Sequence, residues 1–490
     1  MGVFNSMFKM GDPTAVGRTA VVTLISAAFS LLTFGQSAWS QPKYAHTGPT
    51  IITNVSVIDG LGNEPLRGQD LIIEDGKIAA IGATGSLMAP SGAKKIDGTR
   101  LTAMPGLMDL HIHTQGGWAN GLIPGERYAV SYEDDKVQQR LSGYLYAGVT
   151  TVLDVGADHD WVVKTRDRIN SGELFGPRHF TTGVAWSSKP SGWDAGNTGA
   201  ADFGLSTIVG DVSDLPAQLD RYKKDGVEII KLYAGIGTVG MQALIAEAHK
   251  RDMLTIADLW MLNLNRQVAQ TTGLDGWAHT GGFSVASKED QEWMAANNRF
   301  VTPTLSLGET LAGLRVKDED GQRLMSKEPL IVDIWGKEEV DHFYDVYPKI
   351  RDSYYDGPDA FYQLNNFGKL DLFPDRFLKN AKASFDAGVL QGCGTDDIYA
   401  GMWPGESTHR EMELFVRAGL PPLEAIKACT HDSARILRRA KEFGSLQAGL
   451  SADILIVEGE PSKNISDSRN VRHVFVRGKE VDRDSLKSKQ

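Results

Sequence analysis

Short apolar runs alternate with amphipathic stretches through the middle of this chain, and the alternation predicts its architecture. Helical periodicity is clearest in Gln242–Lys250 and Leu423–Arg439. Strands that alternate with helices favour parallel pairing through crossover helices, so the pattern predicts an α/β chain built as a (β/α)8, or TIM, barrel. The eight predicted barrel strands are Leu107–His113, Val149–Val155, His179–Gly183, Val227–Leu232, Leu254–Asp258, Leu274–His279, Phe300–Leu305 and Val389–Asp396.

The two ends of the chain carry a different pattern, in which short β-rich runs are separated by turns. In the N-terminal part, an Asp75-Gly76 step between two such runs predicts a hairpin. Similar runs occur at Ala452–Gly459 and Val471–Lys479. We therefore expect a small discontinuous β-sandwich domain, formed by residues 41–103 and 443–490, that encloses a barrel domain spanning residues 104–442.

The first forty residues have the features of a secretory signal. Lys9 and Arg18 supply positive charge, Ala20–Phe34 is an apolar core, and Ala38-Trp39-Ser40 is a small-x-small cleavage site. About 15 apolar residues are fewer than the 20 or so that span a bilayer. We expect a signal peptide at residues 1–40 and a mature chain without a stable membrane span, secreted or periplasmic.

Composition narrows the functional classes. The 490 residues carry a net charge of −11, which becomes −12 once a signal segment of net charge +1 is removed. An acidic chain of this kind argues against nucleic-acid partners. Cys393 and Cys429 are the two cysteines, too few for a disulfide scaffold. They could pair, but we favour two small buried residues.

A long interval separates predicted strands seven and eight, and we interpret residues of about 308–375 as an insertion. It is rich in aromatic side chains: Trp335, Phe343, Tyr344, Tyr347, Tyr354, Tyr355, Phe361 and Tyr362. An excursion of this length often covers an active site. Packing of the aromatic rings against the barrel is an equally weighted interpretation.

Candidate chemistry is concentrated at the carboxyl ends of the predicted strands, where barrel active sites lie. His111 and His113 are two residues apart in one strand, so their side chains point to the same face. The other strand ends supply further potential metal ligands or their supports: Asp154, Lys231, Asp258, His279 and Asp396. Together these residue types predict a divalent metal site.

On specific motifs the chain resembles the amidohydrolase superfamily, in particular its secreted imidazolonepropionase-like and prolidase-like branch, which includes Xaa-Pro dipeptidase-like and ochratoxinase-like members. The resemblance covers nearly the whole mature sequence. The motifs are Pro105-Gly106-Leu107-Met108-Asp109-Leu110-His111-Ile112-His113, Gly148-Val149-Thr150-Thr151-Val152, Ile230-Lys231-Leu232-Tyr233, Gly394-Thr395-Asp396, and Gly444-Ser445-Leu446 with Gly449-Leu450-Ser451-Ala452-Asp453.

The resemblance implies a set of roles. His111 and His113 would ligate one ion, Lys231 would be carboxylated and bridge two, and His279 would ligate the second. Asp396 would bind metal and accept a proton from water. The cofactor implied is one or two divalent ions, with zinc favoured.

One position departs from the family pattern. Asp258 stands where the strand-five histidine is expected. Aspartate is a competent oxygen ligand for zinc or manganese. Ligation by Asp258, orientation of another ligand, and loss of the second ion are all consistent with the sequence.

The predicted function is hydrolysis of an amide or peptide-like C–N bond by metal-activated water, with Asp396 and Tyr233 as catalytic residues. A dipeptide or an N-acyl or aryl amide is the expected substrate. The alternatives are a lactonase or other cyclic-ester or cyclic-amide hydrolase, a lyase or isomerase, and a non-catalytic binder. The resemblance also allows a homo-oligomer.

Overall fold

A computed structural model describes most of the chain after the predicted signal segment, which lies outside the described residues. The described ranges are 42–116, 131–187, 206–208, 212–233, 236–258, 266–281, 284–314, 324–351, 372–399 and 401–488.

The strands, numbered in chain order, are β1 Tyr44–His46, β2 Thr50–Val57, β3 Leu66–Glu74, β4 Lys77–Ala83, β5 Lys94–Asp97, β6 Leu101–Pro105, β7 Leu107–Ile112, β8 Val149–Asp154, β9 Arg178–Thr181, β10 Ala185–Ser187, β11 Ser206–Ile208, β12 Ile229–Leu232, β13 Leu254–Ala257, β14 Gly276–Ala278, β15 Phe300–Thr302, β16 Leu390–Gln391, β17 Ile454–Glu458, β18 Val471–Val476 and β19 Lys479–Val481.

The α-helices are α1 Asp134–Tyr146, α2 His159–Ser171, α3 Leu215–Lys224, α4 Thr238–His249, α5 Arg266–Thr272, α6 Lys288–Ala296, α7 Leu305–Leu311, α8 Pro329–Trp335, α9 Lys337–Arg351, α10 Phe373–Ala387, α11 Glu406–Ala418, α12 Pro422–Lys427 and α13 Ser433–Ile436. The predicted helix Leu423–Arg439 is interrupted by a π-helical turn at Ala428–Asp432, between α12 and α13.

A nine-stranded sheet is assembled from both ends of the chain, in the order β1-β19-β18-β17-β6-β2-β3-β4 with β5 beside β2. β6 pairs antiparallel with β17 from Ile454↔Pro105 to Glu458↔Leu101. The predicted hairpin turn joins β3 to β4, with Asp75 and Gly76 both at positive φ (49° and 76°). This conformation is why an Asp-Gly step suits the turn.

Strands lie at all eight positions predicted for the barrel, in two parallel sheets rather than one continuous ladder. One sheet has the order β7-β8-β9 and the other β11-β10-β12-β13-β14-β15-β16. The third predicted strand corresponds to β9, which pairs with β8. The next strand, β10, begins just beyond the predicted strand and pairs with β12. Gly183, between them, has a φ of +68°. The chain changes direction there because glycine adopts this conformation without a steric penalty.

Hydrogen bonds also join the last of these strands to the first. Leu110 N donates to Cys393 O at 2.8 Å, and Asp396 N donates to His111 O at 2.7 Å. These contacts place the segment that follows β16 beside β7. The carboxyl end of β16 therefore lies next to His111 and His113.

The preference for free cysteines was wrong, because Cys393 and Cys429 form a disulfide. Both residues are fully buried, as expected. The bond links the segment after β16 to the π-helical turn Ala428–Asp432. Their separation of 36 residues gave no local signal for pairing, since the contact depends on how the strand and the turn pack.

Four of the eight aromatic residues named above for the predicted insertion are described. Phe343, Tyr344 and Tyr347 are buried in the largest hydrophobic cluster, and Trp335 packs against it. The rings of Phe343 and Trp335 lie 5.9 and 5.2 Å from that of Trp403, centroid to centroid. These four contribute to core packing. The other four lie outside the described residues: Tyr354, Tyr355, Phe361 and Tyr362.

Among the described residues, no helix combines the length and the apolar character needed to cross a bilayer.

Candidate metal centre

Six of the residues singled out by sequence converge at the carboxyl ends of the parallel strands. They are His111 on β7, His113 just after it, Lys231 on β12, Asp258 after β13, His279 after β14 and Asp396 after β16. None is more than 9% exposed. Residues up to 285 positions apart in the chain thus share one buried cluster, which needs internal partners or ions for its polar atoms.

One half of the cluster consists of His111, His113 and Asp396. Asp396 Oδ1 lies 3.3 Å from His113 Nε2 and 3.6 Å from His111 Nε2. One ligand atom from each residue falls within 4.8 Å of the other two. We call these three residues the imidazole half. Its donor set of two histidines and one carboxylate suits zinc.

The other half consists of Lys231, Asp258 and His279, and we call it the lysine half. Lys231 Nζ lies 3.4 Å from Asp258 Oδ2, which in turn lies 3.2 Å from His279 Nε2. Lys231 Nζ also lies 3.2 Å from His111 Nε2. The lysine therefore links the two halves, and the substituted position, Asp258, is inside the cluster.

The hydrogen bonds of His113 test whether a cation fits. Its Nδ1 lies 2.9 Å from Gly156 O, and a carbonyl oxygen can only accept, so Nδ1 carries the proton. In the neutral ring, Nε2 then has a lone pair that faces the Asp396 carboxylate. Two acceptors meet there, and a proton or a metal ion between them removes the repulsion.

The pKa values of His111 and His113 are shifted in opposite directions. Burial lowers the pKa of His113, but the hydrogen bond and charge of Asp396 outweigh it and raise the pKa above its usual value. Burial, followed by the charge of Lys231, holds the pKa of His111 well below its usual range. A neutral His111 is the form that can ligate a metal.

Asp109 supports the imidazole half from beneath. Its Oδ1 accepts from His111 N and Thr395 N at 3.2 and 3.1 Å, and its Oδ2 accepts from the hydroxyls of Thr395 and Thr408 at 2.7 and 3.0 Å. Burial, followed by the charge of Asp397, raises its pKa to about 7. These bonds tie the backbone on either side of the cluster to one buried carboxyl group.

Close packing and backbone conformation also fix the imidazole half. A Cβ added to Gly394 would lie 2.8 Å from His111 Cβ, so a larger residue there would displace the histidine. Asp396 has a φ of +63°. Such a conformation is costly for a residue other than glycine and is frequent at functional sites.

Two other sequence candidates, Asp154 and Tyr233, and the buried His409 also have defined contacts. Asp154 accepts hydrogen bonds from Thr114 N at 2.8 Å and Gly156 N at 3.1 Å, so it shapes the loop after β7. The Tyr233 ring centroid lies 5.9 Å from Lys231 Nζ. His409 is fully buried on α11. Its ring nitrogens contact Ser468 Oγ and Ala147 O instead.

Sequence reasoning missed two residues beside the cluster. Asp397 is buried next to Asp396 and pairs with Arg140 at 3.3 Å and with the Tyr144 hydroxyl. Thr304 places its hydroxyl 2.6 Å from His279 Nδ1. Nothing in the local sequence distinguishes either from an ordinary buried polar residue.

Comparison with known proteins identifies the class. Residues 102–481 match the model of the amidohydrolase family, and the chain belongs to this family. Membership places it among the hydrolases that act on carbon–nitrogen bonds. The resemblance inferred from sequence motifs is thereby confirmed.

Particular relatives cover different shares of the chain. An imidazolonepropionase from Herpetosiphon aurantiacus is 24% identical over 452 residues, 87% of this chain and 93% of the relative. An enamidase from Eubacterium barkeri is 34% identical over 112 residues, so the match spans 26% of that protein. The structure of a putative prolidase from Bifidobacterium longum superposes with a TM-score of 0.66 at 23% identity, covering 89% of this chain and 95% of that one.

Proposed function

We propose that this protein is an exported, metal-dependent amidohydrolase that cleaves an amide or peptide-like C–N bond with an activated water molecule. The observation that carries the proposal is the imidazole half, where the lone pair of His113 Nε2 faces Asp396 Oδ1 at 3.3 Å. That arrangement is satisfied by a cation held between His111, His113 and Asp396. Zn²⁺ matches these ligands.

The chemistry assigned to the centre depends on a bound divalent ion, which lowers the pKa of water from 15.7 to about 7 and polarises a carbonyl oxygen. Asp396 is the proposed general base. Its Oδ1 faces His111 and His113, and its Oδ2 lies 4.0 Å from His279 Nε2. Asp396 would take the proton of the attacking water and return it to the leaving nitrogen.

Lys231 and Tyr233 complete the proposed machinery. Addition of carbon dioxide to the amine of Lys231, with release of two protons to solvent, would convert the cation into an anionic carbamate, and Asp258 and His279 would then be the remaining ligands of a second ion. Formation of the carbamate requires the lysine to leave its ion pair with Asp258, which is 3.4 Å long. Tyr233, beside Lys231, is the proposed donor to the oxyanion that develops on the substrate.

The proposed substrates are dipeptides and N-acyl or aryl amides of amino acids. Similarity to a prolidase structure and to an imidazolonepropionase sequence supports a small substrate with an amide-type bond. We also propose that the two parallel sheets form one closed eight-stranded barrel. The direct bonds from β7 to the segment after β16 support closure, as do the consecutive strands β9 and β10, which pair with β8 of one sheet and β12 of the other.

Export is supported by two independent features. The first forty residues have the charge and apolar pattern of a secretory signal. In addition, the disulfide between Cys393 and Cys429 suits an oxidising compartment such as the periplasm.

A substrate screen in ¹⁸O-labelled water tests the proposed function. Zinc-loaded protein should hydrolyse at least one member of a panel of Xaa-Pro dipeptides, N-acyl amino acids and aryl amides, with one ¹⁸O entering the new carboxylate. Asp396→Asn should abolish turnover. Turnover without label in the product would show a lyase or isomerase. Lactones are screened in parallel, and label in a lactone-derived hydroxy acid alone would show a lactonase.

A further inference from the structure

Thr304 and Glu411 form a chain of contacts that ends on His279. Thr304 directly precedes α7, and Glu411 lies on α11, 106 residues beyond Leu305. Both are completely buried. Neither belongs to the ligand set proposed above.

The hydroxyl of Thr304 determines which nitrogen of His279 carries the proton. Thr304 Oγ1 donates its one proton to Pro303 O at 2.7 Å. Toward His279 Nδ1, at 2.6 Å, the hydroxyl must therefore accept. His279 is then protonated on Nδ1, and its Nε2 lone pair faces Asp258 Oδ2 at 3.2 Å.

A threonine at the start of a helix ordinarily caps that helix with its side chain. The first amides of a helix lack partners within it, and the side chain of the N-cap residue usually accepts from one of them. Thr304 is the N-cap of α7 but makes no side-chain cap, and its φ of +53° is left-handed. Its hydroxyl is thus directed to His279 instead of to its own helix.

Glu411 takes over the capping. Its Oε1 accepts from Leu305 N at 2.6 Å and its Oε2 accepts from Ser306 N at 2.8 Å. These are the first two amides of α7. A buried carboxyl group from another helix therefore satisfies both amides, including that of Ser306, which an N-cap side chain can otherwise serve.

We propose that Glu411 and Thr304 are positioning residues for His279: Glu411 caps α7 in place of Thr304, and the released hydroxyl holds His279 with Nε2 available to a divalent ion. The inference rests on the proposed metal centre. Partners of this kind orient metal-binding imidazoles in many sites, and their loss typically weakens metal affinity by about 10- to 100-fold.

Zinc affinity, measured by competition with a chromogenic chelator, tests the proposal. Thr304→Val preserves shape but removes the hydroxyl, and it should weaken Zn²⁺ binding by about 10- to 100-fold. Thr304→Ser should restore an affinity near that of the wild type. Glu411→Gln should also weaken binding, because the amide puts an NH2 donor where one of the two backbone N–H groups needs an accepting oxygen.

Thr102→Val is the matched control. The Thr102 hydroxyl is also buried and donates to a backbone carbonyl, Gly459 O, at 2.6 Å, but in the nine-stranded sheet. It should lower the melting temperature without changing Zn²⁺ affinity. Wild-type affinity in folded Thr304→Val, or equal losses in the valine and serine variants of Thr304, would overturn the proposal.

A second readout separates this inference from the proposed function. In metal-free, ¹⁵N-histidine-labelled protein, His279 should be the Nδ1–H tautomer, and in Thr304→Val the Nε2–H form should appear. The signal is assigned by its absence in His279→Gln. If the wild type bound no Zn²⁺, the proposed function would fail, whereas the Nε2–H tautomer in metal-free wild type would defeat the positioning role.

Discussion

The two halves of the centre differ in how their charges are balanced. In the imidazole half, His113 Nε2 and Asp396 Oδ1 face each other as two acceptors. In the lysine half, the ammonium group of Lys231 lies 3.4 Å from the carboxylate of Asp258. The first half requires a proton or cation from outside, whereas the second contains its own counter-charge.

This difference bears on how the centre would be loaded. A buried ion pair is costly to break by removing one partner, because the other charge is left uncompensated. An ion that enters the imidazole half has to displace only a proton between His113 and Asp396. In the lysine half, the pair must first be rearranged, so we expect the two halves to respond differently to substitution.

The largest effect is expected from His113→Ala, which removes a proposed ligand of the imidazole half. Zn²⁺ affinity and turnover should fall by more than the roughly 100-fold typical of residues that only orient a ligand. Chelator competition and steady-state kinetics measure this. His409→Ala is the control, because His409 is also buried but contacts Ser468 and Ala147; similar losses in both variants would contradict a ligand role for His113.

Lys231→Ala should have the next largest effect, because it removes the proposed bridge between the halves. Metal content should fall from about two ions per chain to about one or fewer, and small carboxylic acids should partly restore it by replacing the carbamate. Elemental analysis after gel filtration measures the ratio of metal to protein. Unchanged metal content would eliminate the bridge.

Asp258→Asn should have a smaller effect, confined to the lysine half. Loss of the carboxylate leaves Lys231 without its counter-charge and the second ion without an oxygen anion, so the weaker of two Zn²⁺ affinities should fall by about 10-fold or more. Isothermal titration calorimetry separates the two affinities. Asp225→Asn, which disrupts the His159–Asp225 pair of 2.9 Å, is the control; equal effects would show that Asp258 is not a ligand.

The smallest effect concerns stability and pH. Burial raises the pKa of Glu411 to about 8, although the N–H groups of Ser306 and Leu305 lower it. Because the pKa of Glu411 is higher in the folded protein than in the unfolded chain, where it is about 4.5, the folded state binds the proton more tightly. The resulting contribution to the free energy of unfolding is fully present below pH 4.5 and is lost as the pH rises through about 8. The melting temperature of the wild type, measured relative to that of Glu411→Gln, should therefore be lower at pH 8 than at pH 5. A constant difference would contradict the raised pKa.

The sequence predicted those features that have a local signature. The spacing of His111 and His113 follows from strand geometry, and the strand-end positions of Lys231, His279 and Asp396 follow from the βα alternation. All of these residues meet in the structure. The Asp75-Gly76 turn was predictable for the same reason, because two adjacent residues determine its conformation.

Features that depend on long-range packing could not be predicted in this way. The disulfide joins Cys393 to Cys429 only because β16 packs beside the π-helical turn. The role of Thr304 depends on a left-handed backbone conformation and on a carboxyl group from α11. The break between β9 and β10 depends on Gly183, which in sequence resembles any glycine at a strand end.

Anomalous X-ray scattering from crystals of zinc-loaded protein, recorded on both sides of the zinc edge, would test the central claim directly. We predict a zinc peak within coordination distance of His111, His113 and Asp396, with any second peak, of lower occupancy, beside Asp258 and His279. Full zinc loading with no peak between His111, His113 and Asp396 would contradict the proposed centre.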